Sequence, residues 1–107
     1  MAALSEQEFR LKSDAALAEA RRSLMPLADQ HDFELEMQSG VLNIVFEEPH
    51  EPKFVVSPNA PMSQIWVSAM VKGYRLSWDP AANAFVLDGE TLVHMLQRLV
   101  KSFLGYR

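Results

Sequence analysis

The chain contains no cysteine. That removes a disulfide framework, a zinc ribbon, an iron–sulfur cluster held by this chain alone, and a cysteine nucleophile. Its four glycines are scattered, so no phosphate-cradling loop is available. No G-x-S-x-G, H-E-x-x-H, P-loop or dinucleotide fingerprint occurs either. Conventional hydrolase or transferase chemistry therefore has no visible home. No run approaches the roughly 18 apolar residues of a membrane-spanning helix. The start, Met1-Ala-Ala-Leu-Ser-Glu6, has no basic leader before an apolar core, so no signal peptide is expected and the expected location is cytoplasmic. What remains is a chain of 107 residues, 49% apolar and 22% charged. Those are ordinary globular values, and the length fits a single domain, 1–107.

Charge is unevenly spread. Residues 1–52 hold eleven acids and four bases, a net of −7. Residues 53–107 hold three acids and six bases, a net of +3. An acidic patch built from the N-terminal half is expected. Nucleic acid suits such a patch poorly; metal cations or a basic protein surface suit it well.

The first element opens at Ser5-Glu-Gln-Glu8, a capping-box pattern, with Leu4 and Phe9 at hydrophobic-staple spacing. Phe9, Ala16, Ala20, Leu24 and Leu27, with Ser13 between them, recur at helical steps, and Pro26 is expected to end or kink the helix. Two alternating runs, Phe33–Gln38 and Val41–Phe46, flank Ser39-Gly40 and predict a hairpin. A two-residue turn pairs Met37 with Leu42, Leu35 with Ile44 and Phe33 with Phe46, all on one face. Further strands are expected at Lys53–Ser57, Gln64–Met70, Tyr74–Trp78 after a Lys72-Gly73 turn, and Ala84–Leu87. Asp88-Gly89 is expected to start a second helix with Leu92, Met95, Leu96, Leu99 and Phe103 on its apolar stripe. The order predicts an α+β two-layer sandwich. Its antiparallel sheet has about 5–6 strands, the N- and C-terminal helices cover one face, and the other face is open to water.

Two candidate sites emerge. Asp32, Glu34 and Glu36 alternate, so they point the same way; Asp29 and His31 precede them, and Asp14 and Glu19 are candidates from the helix. Carboxylates suit hard cations such as iron, manganese or calcium. Alternate strand residues stand roughly 6.6 Å apart, which favours weak, water-rich sites over a closed cage. A solvated face guarding a sheet edge gives the same pattern. The second site is the open sheet face. With Ile65, Val67 and Ala69 inward, Trp66 faces out beside Arg75 and Ser77. Trp and Arg dominate interface hot spots, so Asn59, Gln64, Trp66 and Arg75 read as a protein-docking surface, with a Trp merely covered by its neighbours as the alternative. His94 reads as structural or solvated, and His50 in its acidic loop is given no role.

The segments SGVLNIVF, VVSPNAPMSQIWVSAMVKGYRLSW and LDGETLVHMLQRLV together resemble the frataxin family, in its bacterial form, from Glu8-Phe9 to about Gly105. The resemblance implies a frataxin-like fold of two helices on an antiparallel sheet. It implies weak iron binding, ferrous or ferric, at Asp14, Glu19, Asp29, His31, Asp32, Glu34 and Glu36. It also implies docking to the cysteine desulfurase and iron–sulfur scaffold through Asn59, Gln64, Ile65, Trp66, Arg75 and Ser77. On that reading the chain is a monomeric, non-enzymatic iron donor or regulator of iron–sulfur cluster assembly. The end of the first helix departs from the family, with Arg21, Arg22, Met25, Pro26 and Ala28 where relatives carry acids. Two positive charges there repel cations. A ferroxidase or iron-storage activity, and a small acidic secretion chaperone unrelated to iron, are the alternatives.

Overall fold

A computed structural model describes residues 4–46 and 53–105; His50 lies outside the described residues. Helix α1 spans Glu6–Gln30. Its first turn is held by the expected reciprocal cap. The Glu8 N–H donates to the Ser5 hydroxyl at 3.1 Å, and the Ser5 N–H donates to the Glu8 carboxylate at 3.0 Å. These bonds hold the Glu8 carboxyl below its ordinary range. Pro26 does not end the helix, which runs on to Gln30. Pro26 is exposed, so the carbonyl it leaves without a helical donor faces water. The buried stripe is Phe9, Ser13, Leu17, Ala20 and Leu24, with Leu17 added to the expected set and Ala16 only half-buried. Ser13 is buried without penalty because its hydroxyl donates to the Arg10 carbonyl.

The sheet is a seven-stranded antiparallel meander in sequence order: β1 Phe33–Gln38, β2 Val41–Phe46, β3 Lys53–Asn59, β4 Gln64–Ala69, β5 Lys72–Asp79, β6 Ala84–Leu87 and β7 Glu90–Thr91. Among the described residues there are seven strands, where about five or six are expected from the sequence. The β1–β2 register is the expected one, Phe33 opposite Phe46, Leu35 opposite Ile44 and Met37 opposite Leu42. Ser39 and Gly40 both take positive φ, 53° and 77°, as the two-residue turn requires. β3 continues past Ser57 through Pro58. Pairing with β2 stops at Val56, so the missing Pro58 N–H interrupts no ladder on that side.

Two boundaries differ from expectation. The β4–β5 turn falls on Met70-Val71, and Lys72-Gly73 belongs to β5. Asp88-Gly89 forms the β6–β7 turn rather than a helix start. Helix α2 spans Leu92–Phe103, capped by Thr91, whose hydroxyl accepts the His94 N–H.

Both helices cover one sheet face. Leu42, Ile44, Phe46, Phe54, Val56, Ile65, Val67, Leu76 and Phe85 meet the α1 stripe and Leu92, Met95, Leu96, Leu99 and Val100 of α2. Phe103 packs tilted against Phe46 and edge-on against Phe54, with ring centroids 4.4 and 5.7 Å apart. Phe9 meets Phe85, which meets Trp78. Burying each such side chain contributes about 1.5–3 kcal/mol. The packing holds the sheet rigid from one side and leaves the other side open.

Candidate docking face and acidic edge

Strand alternation dictates what the open face carries. Residues directly opposite in an antiparallel pair project to the same face. Trp66 pairs with Ser57 on one side and Arg75 on the other, and Gln64 pairs with Ser77. Their neighbours Ile65, Val67 and Leu76 are buried against the helices, so this second set faces outward.

The outward set is ordered before any partner arrives. The Trp66 indole N–H donates to the Gln64 side-chain oxygen at 2.9 Å. The Gln64 amide in turn donates to the Ser77 hydroxyl at 3.2 Å. The Arg75 guanidinium lies over the indole ring, 4.9 Å from its centroid. Trp66 is half-buried and Arg75 exposed. The stacked pair gains about 0.5–1 kcal/mol at such an exposed site. Beside it lies a shallow concavity of about 710 Å³, floored by Val55, Ser57, Trp66, Ser68 and Gly73. An amphipathic ring, a planar cation and a shallow hollow thus lie side by side on the open face.

One expected docking residue, Ile65, needs correction, and two others, Asn59 and Ser77, already hold a partner within the chain. Ile65 is fully buried, because its strand position faces the helices, and a partner cannot reach it. Asn59 spends its side-chain oxygen on the Met62 N–H, capping the short 3₁₀ turn Ala60–Met62. Ser77 holds Gln64 rather than standing free. Val55 and Ser57 were not in the expected set; alternation in β3 was the signal for them.

The acidic edge is more dispersed than its sequence pattern. Glu34 and Glu36 are exposed on β1, the outermost strand, opposite Val45 and Asn43 on the open face. Asp32 and Asp29 are exposed just before it, flanking half-buried His31, whose N–H caps α1 on the Leu27 carbonyl. Asp14 and Glu19 do not join them. Five helical residues turn about 500°, which puts these two about 140° apart around α1. Asp14 lines a cleft with Gly40 and Pro58, whereas Glu19 lines one with Lys12 and Trp78. Both sit in the helical layer, on the other side of the sheet from Glu34 and Glu36. Arg21 lies two turns beyond Asp14 on the same flank and offsets its charge. Among the described residues no three His, Asp or Glu side chains are brought together as metal ligands. The seven expected ligands therefore form no single centre.

A third cluster carries the strongest electrostatics. Arg98 grips the Glu90 carboxylate with two bonds, 2.8 and 2.9 Å, and the His94 ring nitrogen lies 2.6 Å from it. The Arg98 bonds hold the Glu90 carboxyl down at about 2, against the opposing effect of its partial burial, and Glu90 raises Arg98. The cluster ties β7 to α2. Acids eight residues before an arginine carry no sequence signal for it.

The class defined by these features is a small two-layer α+β domain with an open sheet face, a fixed Trp–Arg pair on that face and acids along one edge. The chain belongs to the frataxin family: the Frataxin-like domain model matches residues 2–106. It is similar to the iron-sulfur cluster assembly protein CyaY of Janthinobacterium sp. (strain Marseille), 32% identical over 99 residues that cover 91% of this chain and 88% of that one. It is also similar to that of Paraburkholderia phytofirmans, 35% identical over 71 residues. That match covers 66% of this chain and spans 64% of the relative's length. In fold it matches the frataxin of Psychromonas ingrahamii, with a TM-score of 0.78 at 14% identity over 94% of this chain and 91% of that one. Yeast frataxin matches with a TM-score of 0.69 at 21% identity, over 94% and 84%. Among the described residues no helix is long and apolar enough to cross a membrane.

Proposed function

We propose that this chain works in iron–sulfur cluster assembly by docking, through the open sheet face, on the cysteine desulfurase–scaffold complex and changing its turnover. The relatives' names support the process. The single observation that carries the docking reading is the fixed array of Gln64, Trp66, Arg75 and Ser77. Immobilising a side chain at an interface costs about 0.5–1.5 kcal/mol. Here Trp66, Gln64 and Arg75 are ordered in advance, so the complex forms without that loss. The acids of β1 steer a basic partner surface toward the same face of the sheet.

Iron enters this reading as cargo. Glu34 and Glu36 attract ferrous ion weakly, each chiefly through its own carboxylate and bound water. An oxidase needs carboxylates converging from several elements, as in di-iron bundles; the separation of Asp14 and Glu19 from β1 favours a non-enzymatic role. Trp66→Ala tests the docking role. It is expected to remove most of the protein's effect on desulfurase turnover while leaving its circular dichroism and thermal midpoint near wild type. Unchanged turnover kinetics would reject it.

A further inference from the structure

The tip of the β4–β5 hairpin is built against its own stereochemistry. Among the described residues, three two-residue turns share a backbone with both central residues at positive φ. Two place glycine second, Ser39-Gly40 and Asp88-Gly89. The third is Met70-Val71, at φ 50° and 59°. Asn-Gly and Asp-Gly are the pairs this turn favours, and a β-branched residue there is an outlier. Val71, the more strained of the two, has no packing to offset its strain: it is 108% exposed, and Met70 beside it is 40% exposed. The fold therefore tolerates a strained turn that presents two apolar side chains to water. Strain such as that of Val71, which the fold does not compensate, is found where a site has work to do.

The surroundings define what the tip fits. Lys72 lies over the Tyr74 ring on the helix side of the hairpin, 5.8 Å from its centroid. Arg75 lies over Trp66 on the open face. The tip is thus an apolar point with a cation on either side. It ends the two strands that carry Trp66 and Arg75, which pair with each other; four residues at strand rise place Val71 about 13 Å beyond that pair. The geometry points to Met70-Val71 as an anchor that enters an apolar recess with carboxylates at its rim, on the same protein that docks against Trp66. This inference rests on the docking reading above and extends that surface to the end of the hairpin.

The test titrates purified desulfurase–scaffold complex with wild-type chain and three variants, and records each thermal midpoint. Val71→Thr keeps the shape and the strain but puts a hydroxyl where a methyl was. It is expected to bind about tenfold more weakly, the loss that follows from burying an unpaired hydroxyl, with its midpoint unchanged. Met70→Asn with Val71→Gly is expected to bind as weakly or worse, yet to melt about 2–5 °C higher because the turn is relaxed. Trp66→Ala is the control for the face itself. Tip variants that bind like wild type while Trp66→Ala weakens binding would overturn the anchor and leave the docking reading intact. Wild-type binding by all three would overturn both. A lower midpoint for the Asn-Gly variant would overturn the strain argument.

Discussion

Glu90→Gln should unmask a pH-dependent part of the stability. In the folded chain Arg98 and His94 hold the Glu90 carboxyl at about 2, against an ordinary value of 4.5. Each unit of such a shift corresponds to about 1.4 kcal/mol. The Glu90 side chain is 19% exposed, but Arg98 is 51% and His94 71% exposed, so solvent screens the cluster. The full shift therefore discounts to about 2 kcal/mol. A carboxyl lowered by folding stabilises above its unfolded value, and that stability is lost as pH falls from about 5 toward 2. Urea unfolding at pH 7 should show Glu90→Gln less stable by about 2 kcal/mol, and the gap should close by about pH 2. A gap that stays constant from pH 7 to pH 3, or no gap at pH 7, would refute the assignment of this carboxylate to the Arg98 grip.

Three further outcomes follow from the packing and the caps. Leu17→Ala should cost about 2–5 kcal/mol by chemical denaturation, since Leu17 is fully buried between helix and sheet; a loss below 1 kcal/mol would mean the site collapses freely. Ser5→Ala should cost about 1 kcal/mol and fray the first turn of α1 in hydrogen exchange. Glu34→Lys with Glu36→Lys should abolish residual ferrous binding in a titration, whereas Asp14→Asn should leave it unchanged. Equal losses from the β1 pair and from Asp14 would contradict the separation of the two layers.

The legible parts of the fold were those set by side-chain alternation. The Phe33–Phe46, Leu35–Ile44 and Met37–Leu42 pairs are apolar on one face only in the register observed. The outward direction of Trp66 and Arg75 follows from the same parity. Chain turns were less legible. Lys72-Gly73 looks like a turn because it contains glycine, and Met70-Val71 does not, because neither residue favours the conformation it adopts. Strand β7 has two residues, Glu90 and Thr91, too short to show a period. Pro26 is tolerated because its side of α1 faces water, a property of packing rather than of local preference. The acidic site was legible as charge but not as geometry. Asp14, Glu19, Glu34 and Glu36 share a sign, yet helix rotation and the thickness of the sheet keep them apart. Ile65 shows the reverse case: it stands within the docking motif, but its own alternation turns it into the core.

The most direct measurement is an amide chemical-shift map of this chain as the desulfurase–scaffold complex is added. The account predicts that the largest changes fall on Gln64, Trp66, Ser68, Gly73, Arg75 and Ser77, with the Trp66 indole signal moving among the first and α2 unaffected. Changes centred on α1 and α2, with the Trp66 indole signal fixed, would contradict it.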